Sequence, residues 1–236
     1  TSLSAMISWR VTFLIVGCWG LVMLYYIWRW VPHVKGVKDT GFKGQFRFLR
    51  KPAPWLILGA TALGNGGVFC WYSYVTPMLI HISGFSPASM TALMMLAGFG
   101  MVVGNLTSGR LSDRYTPGRV GATVQGMICI ILLLIFFLAP HPWCAALLMA
   151  SCTACLFAVS SPEQVSIIRV AAGGEMFGAA CVQVGFNLGN AIGAYCGGKV
   201  LHWGYQYPAL IGVPFALVGF ILLTRYYKKY ESQYHS

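Results

Sequence analysis

No Asp, Glu, Lys or Arg occurs between Lys51 and Arg110, and none occurs between Arg119 and Glu163. Each interval is long enough for two helices of about 20 apolar residues joined by an uncharged turn, the length needed to cross a bilayer. Composition agrees: 57% of residues are hydrophobic and 9% charged, where soluble domains carry roughly 25% charged residues. A soluble globular domain is excluded. The formal net charge of +11 does not indicate nucleic acid as a partner, because the basic residues lie between apolar segments rather than on one folded face.

Apolar segments at 8–31, 54–80, 88–109, 119–139, 143–161, 176–199 and 206–225 predict an all-α polytopic membrane protein with seven transmembrane helices. Lys and Arg accumulate on the cytoplasmic side of membrane proteins. Here they alternate: Arg29 to Lys51, Arg110 to Arg119, Arg169, and the tail with Arg225, Lys228 and Lys229 are basic, whereas the intervening turns carry no Lys or Arg. The expected C-terminus is therefore cytoplasmic. Trp55, Trp143, Trp203, Tyr205 and Tyr226 fall near the expected interfaces, where amphipathic rings are favoured.

The chain starts at Thr1 on the side expected to be external, with no short signal sequence before its first span, which predicts a piece of a longer chain. The expected organisation is a helix at 1–32 that ends an N-terminal half, a basic cytoplasmic linker at 33–52, a six-helix transport domain at 53–228 and a cytoplasmic tail at 229–236.

Gly109-x-Leu111-x-Asp113-Arg114, followed by Gly118-Arg119, resembles the loop motif of the major facilitator superfamily, with Tyr115-Thr116-Pro117 as an extended spacer. The segments Gly67-x-Phe69-x-x-Tyr72-Ser73-Tyr74-Val75-x-Pro77-x-Leu79 and Phe186-Asn187-Leu188-Gly189-Asn190-Ala191-x-Gly193-Ala194-x-x-Gly197-Gly198, with the Ile82–Ser86 turn, are similar to the twelve-span drug and sugar efflux (drug:proton antiporter) group, and most like its arabinose efflux permeases. The resemblance implies a proton-driven exporter in the bacterial inner membrane. This chain would supply helix six and the C-terminal six-helix half, with the missing N-terminal half and a small-molecule substrate as partners beside membrane lipid.

The residues support several site expectations of their own. Gly185, Gly189, Gly193 and Gly197 recur every four residues and predict a helix-packing stripe, since small residues let helices approach closely in lipid. Gln183, Asn187 and Asn190 share another side of that helix, and amides in hydrocarbon need water or partners. Cavity lining and interhelical hydrogen bonding both fit. In the span at 54–80, Asn65, Phe69, Tyr72 and Thr76 share a face by spacing, and rings with hydroxyl tips suit sugars and amphipathic drugs alike. Tyr74 points elsewhere. The charged turn predicts a gate in which Gly109 permits tight helix contact and Asp113 favours a helix N-terminus or pairs with Arg114 or Arg119. Fixing topology is the simpler use of these charges.

The five acids, Asp39, Asp113, Glu163, Glu175 and Glu231, are expected at helix ends, in loops or in the tail. A proton relay needs a titratable group at depth, so the coupling acid is expected in the absent helices. Glu163, which follows Pro162 near the inner end of its span, is the one membrane-adjacent acid on that helix, and a coupling role for it is weighed against capping the helix or pairing with Arg169. The cysteines read as small hydrophobes within spans, and His81, His141 and His202 as interface residues. No metal site, Walker A sequence or catalytic constellation is found, so no enzyme, no metal and no cofactor beyond a proton gradient are expected. The rival readings are a seven-helix receptor, for which a retinal-type lysine in the last span is missing, and a non-transporting membrane scaffold or regulatory half-transporter.

Overall fold

Proline and glycine set where the helices start and turn in the computed structural model, which describes residues 9–31 and 44–231. Most of the linker expected at 33–52 and the end of the tail expected at 229–236 lie outside the described residues. The first helix, α1 (Trp9–Trp30), forms a unit by itself. The second unit contains α2 (Pro52–Tyr72), α3 (Val75–His81), α4 (Met90–Arg114), α5 (Pro117–Leu138), α6 (Pro142–Val170), α7 (Glu175–Lys199) and α8 (Tyr207–Tyr226). Proline occupies the first helical positions of α2, α5, α6 and α8, where its missing N–H would have no intrahelical partner anyway.

Among the described residues, six helices are long and apolar enough to cross a membrane, namely α1, α2 with α3, α4, α5, α6 and α8. The expected count was seven. The difference is α7, which has 25 residues but dilutes its apolar content with glycines, Gln183, Asn187 and Asn190.

Three boundaries also differ from expectation. The span at 54–80 is two helices, because Pro77 cannot donate to the Ser73 carbonyl and the chain breaks at Ser73–Tyr74. Helix α4 runs on to Arg114, so the expected charged turn is helical through Gly109–Arg114 and only Tyr115 and Thr116 connect it to α5. Helix α6 does not stop at 161 but continues past Pro162 to Val170, as membrane helices can when neighbouring helices satisfy the freed backbone groups.

Helices α2, α8, α5 and α6 form a ring, with α7 against α2 and α6, and α4 against α6. Small residues make these contacts close. A Cβ on Gly67 would lie 2.6 Å from the Gly212 carbonyl oxygen of α8, and one on Gly100 would lie 2.5 Å from the Ala150 carbonyl oxygen of α6. Gly104 similarly faces Ala154. Side chains then bridge the helices: Thr153 Oγ1 donates to the Ala97 carbonyl at 3.1 Å, Gln125 Nε2 to Ala216 at 3.3 Å and Tyr74 Oη to Ala194 at 2.8 Å. Large apolar side chains such as Met95, Phe99, Leu106, Phe137 and Leu147 remain on the outside of the bundle, as a lipid-facing surface requires. Tyr226, at the end of α8, is 2% exposed, whereas Trp143, at the start of α6, is 84% exposed.

Candidate functional site

The four-residue glycine stripe of α7 lies along α2. Gly185, Gly189, Gly193 and Gly197 face the carbonyls of Leu58, Ala62, Gly66 and Cys70, one turn of α2 after another. The rest of α7 is turned by this contact. Gln183 and Asn187 are exposed, Asn190 is half-buried, and Asn187 Nδ2 donates to the Gln183 carbonyl of its own helix at 2.9 Å. The remaining oxygen of Asn190 is buried without a partner. Beside this face, Phe69 meets Tyr72 and Phe186 edge-on, with ring centroids 5.7 and 5.9 Å apart. Thr76 is exposed beyond the helix break.

Asn65 does not join that surface, contrary to its expected place beside Phe69, Tyr72 and Thr76. It is 1% exposed, because at its height along α2 the neighbour is Glu163 of α6, whereas one turn further on Phe69 meets Phe186 of α7.

The structure also overturns the expected absence of a carboxylate at depth. Glu163 is interior to α6 and 1% exposed. Neither carboxyl oxygen has a hydrogen-bond partner, and no ion pair joins it to Arg169 among the described residues. Its neighbours are Thr61 and Asn65. Thr61 Oγ1 donates to the Ile57 carbonyl of its own helix at 3.0 Å, and one of the two Asn65 Nδ2 hydrogens goes to the Thr61 carbonyl at 2.9 Å. Asn65 Oδ1 is left as a buried acceptor without a partner. Gln125 of α5 and Ser166 of α6, also buried, extend the polar seam inside the ring. Treating Pro162 as the end of a span placed Glu163, singled out as the one membrane-adjacent acid of its helix, at the helix end instead of in the interior.

At the motif, Arg114 and Arg119 lie over the Tyr115 ring, 5.9 and 5.5 Å from its centroid. Asp113 is exposed on the last turn of α4, and among the described residues no ion pair joins it to either arginine. Gly109 has open space where a Cβ would go, so within this unit it makes no tight contact. That role falls to Gly100 and Gly104, two glycines one turn apart that the motif does not include. Gly118, by contrast, is enclosed: its N–H donates to Glu231 Oε2 at 2.7 Å.

A ring of apolar helices with a buried polar seam and one amide-bearing face defines the core of a multi-pass membrane protein. Residues 1–180 match the family model described as Major Facilitator Superfamily, and the chain belongs to that family. It is similar to AraJ of Escherichia coli (strain K12), with 43% identity over 99% of this chain and 59% of the relative. Inner membrane transport protein YdhP of the same strain is 32% identical over 94% of the chain and 58% of the relative. The MFS-type transporter YfhI of Bacillus subtilis (strain 168) is 28% identical over 94% and 56%. The chain thus spans between half and two thirds of the length of these relatives.

Proposed function

We propose that the chain is the C-terminal half, with the preceding helix, of a twelve-span secondary transporter of the bacterial inner membrane. It moves sugars or small amphipathic drugs outward by alternating access, driven by protons. The supporting observation is the exposure of Gln183 and Asn187 on the middle of α7, next to the Phe69–Tyr72–Phe186 cluster. Amides on a membrane helix face water or a partner, and substrate sites in such transporters lie near mid-membrane between two halves. Helix α7 is the seventh span in this reading, kept in the membrane by its glycine contact with α2 rather than by hydropathy. The tail faces the cytoplasm, on the side to which the basic loops belong.

Proton coupling has a candidate in this half as well as in the absent one. A proton shared between the Glu163 carboxyl and Asn65 Oδ1 would satisfy two groups that otherwise lack partners, and unpartnered polar groups at this depth are costly. Proton-gradient-driven uptake of labelled arabinose, other small sugars and cationic dyes into inverted vesicles tests the reading. The comparison is between this chain and one joined to the first five spans of a twelve-span relative. Uptake by the joined form alone supports it. Absence of uptake by either form, with both inserted, removes the transport reading.

A further inference from the structure

The end of the second unit that carries the basic residues contains a cleft unrelated to the amide-bearing face. It has a volume of about 600 Å3 and lies between the start of α2 and the end of α8, lined by Lys51, Arg169, Ala53, Tyr226, Tyr230 and Glu231 among others. A second cleft of about 460 Å3 adjoins it, sharing Pro52 and Tyr230 and adding Arg225, Lys228 and Lys229. Cations from three separate stretches of chain therefore converge on one concavity.

The cleft offers more than positive charge. Lys51 caps α2 without a side-chain hydrogen bond to the helix, and the positive end of that helix adds to the charge beside the cleft, although Pro52 and Pro54 have no N–H to offer an anion. The stacked rings of Tyr226 and Tyr230, 5.9 Å apart, form one wall. Tyr226 also neighbours Arg169 and Glu231. Glu231 is the one acid among the described residues that line the two clefts. Glu231 is 6% exposed, and its Oε2 accepts from Gly118. Its Oε1 is buried with no partner, an acceptor that a ligand with a hydrogen-bond donor would satisfy. Pro52, Ala53, Leu56 and Val170 supply an apolar margin.

We propose that this cleft binds the headgroup of a phospholipid that carries a hydrogen-bond donor. The phosphate meets Lys51 and Arg169, the headgroup amine or hydroxyl meets Glu231 Oε1, and the acyl chains leave along the apolar margin. Phosphatidylethanolamine and phosphatidylglycerol have such donors. Phosphatidylcholine has the phosphate but no donor. Basic pockets between membrane helices are suited to phosphate headgroups.

The purified chain is incubated with vesicles containing equal amounts of these three lipids, recovered in mild detergent, and its retained lipid quantified by mass spectrometry. Phosphatidylethanolamine and phosphatidylglycerol should be retained about tenfold over phosphatidylcholine, as one extra charge-assisted hydrogen bond allows. The Lys51→Gln/Arg169→Gln variant should lose the retained lipid. Arg47→Gln/Arg110→Gln, which removes as much charge from the same end, should keep it. Circular dichroism and thermal unfolding of both variants establish that they fold. Equal retention of all three lipids, or equal loss in both variants, overturns the proposal. If a millimolar excess of inorganic phosphate stabilises the lipid-free chain and displaces the lipid, the cleft is a free-phosphate site and the lipid assignment falls.

Discussion

Glu231, at the end of the described tail, caps the first turn of α5: its Oε2 accepts the N–H of Gly118 at 2.7 Å. An added Cβ at Gly118 would lie 2.5 Å from that oxygen and 3.1 Å from the Tyr226 ring. The glycine of the Gly118-Arg119 pair therefore serves the tail directly, by leaving room for a carboxylate.

Gly118→Ala should displace the carboxylate and lower stability by about 1–2 kcal/mol, the usual value of a helix cap. Glu231→Ala should cost a similar amount, and the two should be far from additive because both remove the same contact. Thermal or denaturant unfolding in detergent checks this. Full additivity would show that the cap contributes little.

Gly193→Leu should destabilise by roughly 1–3 kcal/mol or prevent folding, since there is no room beside the Gly66 carbonyl and overpacking is costly. Gly98→Ala is the control. Nothing lies within 4 Å of its Cβ position, so the change should be neutral or stabilising by up to about 1 kcal/mol from helix propensity. A similar loss at both positions would refute the close approach of α2 and α7.

Glu163→Gln should leave insertion and unfolding within about 0.5 kcal/mol of the parent, because no partner is lost. In a transporter joined to the missing spans, it should cut proton-driven accumulation by at least about tenfold while sparing substrate exchange without a gradient. Loss of both activities alike would assign Glu163 to structure instead of coupling.

Asp113→Asn should change the stability of this chain by less than about 0.5 kcal/mol, as expected for an exposed residue with no ion pair among the described residues. In the joined transporter it should slow turnover with normal membrane insertion. Unchanged turnover would leave the motif charges with topology alone.

The helical class and most spans are legible in the sequence because charge-free intervals are a direct consequence of bilayer thickness. Depth and facing are less legible. Pro162 reads as a stop, yet α6 passes through it, and Glu163 is carried inside with it. Asn65, Phe69 and Tyr72 share a face by helical arithmetic, but the neighbour on that face changes from α6 to α7 within one turn. Gly100, Gly104 and Gly109 look equivalent as letters. Only the position of α6 makes the first two indispensable and leaves the third open.

The contact between α7 and α2 repeats once per helical turn, with each of four glycines seated on its own carbonyl from Leu58 to Cys70. Intermediate offsets would bring side chains onto that backbone, so the register that reseats every glycine on a carbonyl is four residues away, a shift of about 6 Å at about 1.5 Å per residue. Any conformational change smaller than that must carry α2 and α7 as a single lever, and the strain of the motion is transferred to the neighbouring contacts with α6 and α8.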